Sequence, residues 1–177
     1  MYLWFGINVD NYYKSIKERS ILINDELNME VANFELPYHI SLKISFEVEN
    51  GMEELIIKEV ESFYKSLKPF KLKVRVIENA GTILWIRYFD NDYLRNISDE
   101  LNRILNEKFN IPYHEFDLNF IFHTTIFMND DKDKIKLAHD KFRNEKLPDE
   151  LYINKFIIGG SDNGIPYTYK VFKEVEV

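Results

Sequence analysis

Two short segments of this sequence carry a histidine that is followed, two positions later, by a hydroxyl side chain. They read HISL, beginning at His39, and HTTI, beginning at His123. Each lies in an apolar run that predicts a β-strand, and alternate residues of a strand project from the same face. His39 should therefore share a face with Ser41, and His123 with Thr125. Two imidazoles and two hydroxyls around one small anion could perform acid–base chemistry on a phosphodiester without a metal ion.

The elements around the motifs follow from hydrophobic periodicity and from glycine and proline signals. Strands are predicted at 1–9, 38–48, 70–78, 82–89, 118–128, 150–159 and 166–175, and helices at 10–27, 52–67, 92–109 and 131–143. Asp10 is the predicted N-cap of the first helix. The segment GGSDNG, at 159–164, is predicted to be the turn between the last two strands.

Each half of the chain repeats the order of strand, helix and histidine-bearing strand. Trp4 and Trp85 lie at corresponding places, and each precedes its motif histidine by a similar stretch that contains one helix. A structural role, with the histidine hydrogen-bonded inside a sheet, would also explain a single motif. It gives no reason for two motifs to occur at equivalent positions. The repetition therefore favours a symmetric site in a single domain, 1–177, with lobes at about 1–80 and 81–177 related by a pseudo-twofold axis.

Composition limits the classes of function that the chain can have. Its 177 residues are 45% hydrophobic and carry a net charge of -7. This fits one folded domain and disfavours long nucleic acid as a partner, whereas a small nucleotide or short oligonucleotide could enter a locally positive cleft. The absence of cysteine excludes disulfides, thiolate metal sites and a cysteine nucleophile. The apolar start is too short to span a membrane and lacks a basic flank, so a cytoplasmic protein is expected. A cleft formed between the lobes of one chain needs no partner subunit, so a monomer is expected.

The paired tetrapeptides, each on a predicted strand, resemble those of the 2H phosphoesterase superfamily. This family includes 2′-5′ RNA ligase-like proteins, cyclic nucleotide phosphodiesterases and enzymes that destroy oligonucleotide second messengers. The resemblance implies a bilobal α/β (α+β) fold with duplicated antiparallel sheets, helices outside and a central cleft. It also implies metal-independent catalysis by His39 and His123, with no cofactor, and phosphate binding by Ser41 and Thr125. Ser41 stands where threonine is commoner, and it still supplies a hydroxyl donor.

The function implied by the resemblance is that of a phosphodiesterase acting on a 2′,3′-cyclic or 2′-5′-linked nucleotide or short oligonucleotide. A hydrolase of cyclic oligonucleotide second messengers or a 2′-5′ RNA ligase would use the same four residues. A non-catalytic nucleotide-binding module is the alternative from another class. A metal hydrolase is disfavoured, because the sequence lacks tightly spaced histidine ligands and hydroxyls are poor ligands for zinc.

Further side chains could contact a substrate, although packing or solvent exposure would explain each of them as well. Lys43 shares the predicted face of His39 and could touch a phosphate. Arg87 shares a face with Trp85 and could bind a phosphate in the same way. Trp4 or Trp85 could stack on a base.

Residues outside the motif strands give weaker expectations. The last strand pair would bring Tyr167 and Tyr169 to the border of the cleft. The basic residues of the strand at 70–78 could form a wall along an oligonucleotide, but an exposed strand face is the simpler interpretation. The two histidines outside the motifs, His114 and His139, are predicted to be surface residues.

Overall fold

The computed structural model describes residues 1–29 and 36–177. Within these residues the strands are β1 (Tyr2–Asn8), β2 (His39–Glu47), β3 (Phe70–Asn79), β4 (Ile83–Tyr88), β5 (His123–Met128), β6 (Glu150–Ile153), β7 (Lys155–Ser161) and β8 (Lys170–Glu176). The helices are α1 (Lys14–Leu27), α2 (Glu53–Ser66), α3 (Asp92–Phe109), α4 (Glu115–Leu118) and α5 (Lys132–Lys141), and a 3-10 turn precedes α1 at Asp10–Tyr12. None of the described helices is long and apolar enough to cross a bilayer.

The strands of the described residues form two antiparallel four-stranded sheets, in the orders β2-β1-β7-β8 and β5-β4-β3-β6. Each histidine strand has the same place in its sheet, because β2 and β5 are edge strands that pair with β1 and β4. The helices α2 and α3 pack against the first sheet, and α1 and α5 pack against the second. The predicted mixed fold, with duplicated antiparallel sheets and outer helices, is confirmed.

Each half of the chain contributes strands to the sheet of the other half, β3 from the first half and β7 with β8 from the second half. β3 belongs to the first half of the chain but pairs with β4, and β7 belongs to the second half but pairs with β1. The predicted lobes at 1–80 and 81–177 therefore do not match the two sheets. The reason is that periodicity identifies a strand and its buried face, whereas pairing with a distant strand leaves no signal in it.

Alternating apolar residues explain why β1 lies at the centre of its sheet. Leu3, Phe5 and Ile7 are fully buried on one of its faces. The helix α3 covers the first sheet with a stripe of buried residues spaced three or four apart. Asn91 caps the start of α3, and its side chain accepts a hydrogen bond from the Leu94 N–H at 2.9 Å. This is the usual way to satisfy a free amide at a helix start.

Some predicted boundaries differ from those of the structure. Asp10 does not cap α1, because its carboxylate instead accepts a hydrogen bond from the backbone N–H of Tyr38 at 2.8 Å. The strand predicted at 150–159 breaks at Asn154 into β6 and β7, which lie in different sheets. The predicted turn begins later than expected, since Gly159 lies inside β7.

A β-bulge interrupts the alternation predicted for β2. Where β1 advances by one residue, from Phe5 to Gly6, β2 advances by two, from Lys43 to Ser41. Such an extra residue changes the face on which the following side chains lie. Leu42 and Lys43 are consequently both buried. The expectation that Lys43 shares the face of the first motif histidine is therefore incorrect.

The side chain of Lys43 forms a buried ion pair with Asp117 of α4. Its ammonium also donates to the Pro112 carbonyl at 3.1 Å, and the Asp117 carboxylate accepts the backbone N–H of His114 at 2.6 Å. The pair joins β2 to the segment that leads into β5. This segment was predicted to be strand from 118 onward, but the helical turn of α4 delays the strand until His123.

We predict that Asp117→Asn lowers the free energy of unfolding by about 3–5 kcal/mol, because the Lys43 ammonium would stay buried without its counter-ion. The matched control is Glu150→Gln, which removes the carboxylate of an exposed ion pair with Lys71 and should change stability little. Urea denaturation of both variants and the parent measures the difference. Equal losses for the two variants would contradict a special effect of the buried pair.

Candidate active site

The two histidine strands meet at the junction of the two sheets. β2 and β5 are edge strands of different sheets, and they contact each other. His39 is the first residue of β2 and His123 is the first residue of β5. Both side chains are partly exposed, so a ligand lying along the junction can reach each of them.

A backbone carbonyl two residues upstream fixes each imidazole. His39 Nδ1 lies 2.9 Å from the Pro37 carbonyl oxygen, and His123 Nδ1 lies 2.6 Å from the Ile121 carbonyl oxygen. Because a carbonyl oxygen can only accept, Nδ1 carries the proton and donates it in both cases. The lone pair of each neutral ring is then on Nε2, which is the nitrogen left to exchange protons with a ligand.

The residue between Pro37 and His39 is itself held at both of its backbone polar groups. Tyr38 donates its N–H to the Asp10 carboxylate at 2.8 Å, and its carbonyl accepts the Val9 N–H at 2.9 Å. Asp10, which the sequence predicted to cap a helix, thus positions the chain that enters the first histidine strand.

A tryptophan of the neighbouring strand packs against each imidazole. The ring centroids of Trp4 and His39 are 4.6 Å apart, and those of Trp85 and His123 are 4.5 Å apart. His123 has a second aromatic neighbour, Phe120, whose nearly parallel ring lies at 5.9 Å. Trp4 is only 5% exposed, and it lines a cavity together with His39.

Two glycines provide the space that Trp4 and β2 occupy. A Cβ at Gly159 would lie 2.4 Å from the Trp4 ring, and a Cβ at Gly6 would lie 2.6 Å from the Ile40 carbonyl oxygen. Glycine inside a strand often marks such a close approach. That signal was present in the sequence for Gly159, but the residue was placed in a turn and its role was missed.

The hydroxyl of the first motif opens into a cavity beside its histidine. Ser41 and His39 both line this cavity of about 230 Å³, as the alternation at the start of β2 predicts. Tyr169 forms part of the same wall, and its hydroxyl lies 2.6 Å from Ser45 Oγ. The structure therefore places Tyr169 beside the first motif, whereas Tyr167 is exposed on the turn before β8.

The adjacent threonines of the second motif divide between the core and the cleft. Thr124 is fully buried, and its hydroxyl lies 2.8 Å from the hydroxyl of Tyr88. Thr125 is partly exposed and, by the alternation of β5, lies on the face of His123. Each motif thus contributes one imidazole and one accessible hydroxyl at the junction of the sheets.

Burial lowers the pKa of both motif histidines from the ordinary value of 6.5. The hydrogen bonds to the carbonyls of Pro37 and Ile121 raise each pKa, but by less than burial lowers it. For His123 the positive charges of His39 and Arg87 lower the pKa further. The two imidazoles are therefore within electrostatic reach of each other, and both are mainly neutral in the free protein at pH 7.

The two basic candidates have different positions. Arg87 is the cross-strand partner of His123, and its guanidinium lies 5.4 Å from the centre of the Trp85 ring. The structure therefore brings Arg87 to the second motif. Lys43 is not at the site, because its ammonium is buried against Asp117.

The remaining histidines have structural environments. His114 is exposed and caps α4, and His139 is half-buried on α5, with Nε2 3.3 Å from the Ile77 carbonyl oxygen. On the basic strand at 70–78, Lys71 forms an exposed ion pair with Glu150. Across residues 1–29 and 36–177, no group of three or more histidine or carboxylate side chains is placed to hold a metal ion.

The fold of this chain, two antiparallel four-stranded sheets whose histidine strands contact each other at their edges, is similar to that of solved structures that include E. coli LigT and a structure described as a phosphoesterase. This agrees with the resemblance of the two motifs to the 2H phosphoesterase superfamily. E. coli LigT in its apo form is 14% identical to this chain, with a TM-score of 0.62, and the match covers 99% of this chain and 96% of LigT. At such identity the likeness establishes the fold.

Two other solved structures show the same likeness. TT0787 of Thermus thermophilus is 14% identical, with a TM-score of 0.61 and coverage of 99% of this chain and 97% of TT0787. Kluyveromyces marxianus Usb1 is 14% identical, with a TM-score of 0.52 and coverage of 99% and 97%. A scan against protein-family models and a search of curated proteins found no match.

We predict that His39 and His123 are both Nδ1–H tautomers at about pH 8, because each Nδ1 faces a carbonyl oxygen. Long-range ¹H–¹⁵N spectra measure this from the shifts of the ring nitrogens, with assignments from His39→Gln and His123→Gln. Titration of the same signals should give a pKa below 6.5 for both rings. A neutral ring protonated at Nε2 would contradict the proposed geometry.

Proposed function

We propose that this protein is a metal-independent phosphodiesterase whose substrate is a 2′,3′-cyclic or 2′-5′-linked nucleotide or short oligonucleotide. The observation that carries the proposal is the matched pair of imidazoles, each donating from Nδ1 to a carbonyl and each beside an accessible hydroxyl. Such a pair can accept one proton and donate another at a single phosphate.

Hydrolysis of a 2′,3′-cyclic phosphate would use the two imidazoles in opposite protonation states. The neutral imidazole takes a proton from water through Nε2 while the water oxygen bonds to phosphorus. The protonated imidazole gives its Nε2 proton to the ribose oxygen as the bond from phosphorus to that oxygen breaks. In a 2′-5′ linkage the neighbouring ribose hydroxyl replaces water, and a cyclic phosphate is formed. The similar settings of His39 and His123 would let the roles exchange in the reverse direction.

Ser41 and Thr125 would hold the phosphate between the two imidazoles. Their hydroxyls donate hydrogen bonds to the non-bridging oxygens, on which negative charge increases in the transition state. Positioning matters as much as proton transfer, because general acid–base catalysis alone contributes only about 10²–10⁴-fold. Attachment of each motif to a regular strand provides that positioning.

The ligands of a structural neighbour support this class of substrate. E. coli LigT has been crystallised with 3′-AMP, with phosphate and with ATP. We propose that the cleft between β2 and β5 accepts the same kind of ligand, a nucleotide bound through phosphate. Because both motifs come from one chain, we also propose that the active unit is a monomer.

We predict that His39→Ala and His123→Ala each lower turnover by about 10²–10⁴-fold, because each removes one of the two proton-transfer groups. The assay presents 2′,3′-cyclic nucleotides, 2′-5′ oligoadenylates and cyclic dinucleotides in the presence of EDTA, and mass spectrometry identifies the products. Wild-type cleavage of a cyclic dinucleotide alone would assign the protein to second-messenger hydrolysis.

The control for this assay is His139→Gln, which changes a histidine outside the motifs and should retain wild-type turnover. Circular dichroism confirms that every variant is folded. Turnover near wild type in both motif variants would refute the two-histidine mechanism. Binding of nucleotides with no cleavage by the wild type would instead identify a binding module, and turnover abolished by EDTA would identify a metal enzyme.

We predict a bell-shaped pH dependence of kcat/KM with its maximum below pH 6.5. The active form has one neutral and one protonated imidazole, and this form is most abundant midway between the two apparent pKa values. Burial lowers both pKa values from 6.5, so the maximum moves toward acid. Rates measured from about pH 4 to 9 in buffers of constant ionic strength test this, and a maximum above about pH 6.5 would contradict it.

A further inference from the structure

A second cavity lies directly beside the second motif. It has a volume of about 400 Å³ and is lined by the end of β4, the start of α3 and the segment 118–122 that leads into His123. Two arginines, Arg87 and Arg95, contribute to its lining, and Asp90 adds one carboxylate. The side chains that line the cavity thus include two positive charges and one negative charge, in a protein whose net charge is -7.

Arg87 links this cavity to the reacting group. It pairs across the sheet with His123, and its positive charge acts on that imidazole. Its Nη1 is 3.3 Å from a carboxylate oxygen of Glu78, which holds one side of the guanidinium. Its Nε is buried and has no hydrogen-bond partner among the described residues. A buried donor without a partner is costly, and an acceptor from a ligand would satisfy it.

Arg95 presents a second guanidinium to the same cavity. Its Cζ lies 4.5 Å from the centre of the Phe122 ring, and Phe122 directly precedes His123. Stacking on an aromatic ring orients a guanidinium and leaves its N–H groups at the ring edge available. In residues 1–29 and 36–177 no carboxylate forms an ion pair with Arg95.

The rim of the cavity is apolar. Phe89, Leu118 and Ile121 line it and are 53%, 68% and 48% exposed. Large apolar side chains grouped around a charged pocket are typical of a surface that a ligand covers. A nucleotide has this combination of a charged phosphate and a flat base that stacks on apolar side chains.

The equivalent place in the first half is built differently. The cross-strand partner of His39 is Asn8, which donates a hydrogen bond to Glu174. A neutral side chain beside a carboxylate does not attract phosphate. Of the two motif environments, as far as the structure describes them, only that of His123 has the positive cavity, and this breaks the symmetry of the site.

We propose that this cavity is a subsite for a second nucleotide of the substrate. The proposal rests on the proposed function and narrows the class of substrate. Arg87 and Arg95 would bind the phosphodiester next to the scissile one, and Phe89, Leu118 and Ile121 would contact the adjoining base. The substrate is then an oligonucleotide with at least two phosphodiesters, bound in one direction across the cleft. A mononucleoside 2′,3′-cyclic phosphate would leave the subsite empty.

The test compares binding of 2′-5′-linked ApA, which has one phosphodiester, with that of 2′-5′-linked ApApA, which has two. The His39→Ala protein is used for calorimetry, so that neither probe is cleaved and the cavity beside His123 stays intact. The trimer should bind about tenfold more tightly than the dimer, the effect of charge-assisted hydrogen bonds to one more phosphate. The trimer has two phosphodiesters, and either of them could lie between the imidazoles. This choice alone would raise its apparent affinity by a factor of only about two.

Adding Arg95→Gln should reduce trimer affinity to nearly that of the dimer. The matched control is Arg103→Gln, on the same helix but paired with Glu100 on the exposed surface, which should keep the tenfold preference. If Arg95→Gln fails to fold, Phe89→Ser on the exposed rim tests the base contact and should cost the trimer roughly fivefold or more.

The subsite is refuted if the two probes bind equally, if neither binds, or if the trimer's advantage survives both Arg95→Gln and Phe89→Ser. Turnover separates this result from the proposed function. A wild-type protein that cleaves the dimer but gains nothing from the third nucleotide contradicts the subsite alone. A protein that binds the trimer through Arg95 but cleaves nothing contradicts the phosphodiesterase and retains the subsite.

Discussion

The buried ion pair between Lys43 and Asp117 joins the first histidine strand to the segment that leads into the second. β2 and β5 belong to different sheets, so in the part of the chain that the structure describes no ladder of backbone hydrogen bonds joins them. The pair lies in the interior, where attraction between charges is strong and an unpaired charge is costly. Ser98 of α3 also donates to the Leu42 carbonyl at 3.1 Å, which joins α3 to β2.

Symmetry and its loss have separate roles in this site. The carbonyl, tryptophan and hydroxyl around His39 are repeated around His123, which suits a reaction that needs one proton taken and one given. The asymmetry comes from Arg87, with Asn8 in its place in the other half. A symmetric pair alone would bind a phosphodiester equally well in two orientations. The positive charge of Arg87 on one side would favour one orientation of the substrate and would leave the arrangement of the two imidazoles unchanged.

Local pattern predicted most of the elements and both motifs, because strand alternation and helix periodicity are properties of neighbouring residues. It predicted the helix at 92–109 to the residue and placed each motif histidine on a strand. Prediction from local pattern was wrong where the position of a residue depends on contacts with distant segments. Lys43 was expected to share the face of His39, because a bulge in β2 leaves no local signal. Arg95 was overlooked because its contact with the Phe122 ring depends on how α3 packs. The sequence pattern also gave no indication that β3 and β7 lie in the sheets of the opposite halves.

The strand exchange also constrains how such a chain can be assembled. Each half has a histidine strand and its neighbour in one sheet and contributes to the other sheet, with β3 from the first half and β7 and β8 from the second. A half-length chain with this pattern would leave a sheet edge unpaired and would complete it by swapping a strand with a second copy. The fold thus has the connectivity of a strand-swapped homodimer fused into one polypeptide. In a single polypeptide the two halves can differ in sequence. A charged pocket beside only one of the two histidines is such a difference, and two identical subunits could not have it.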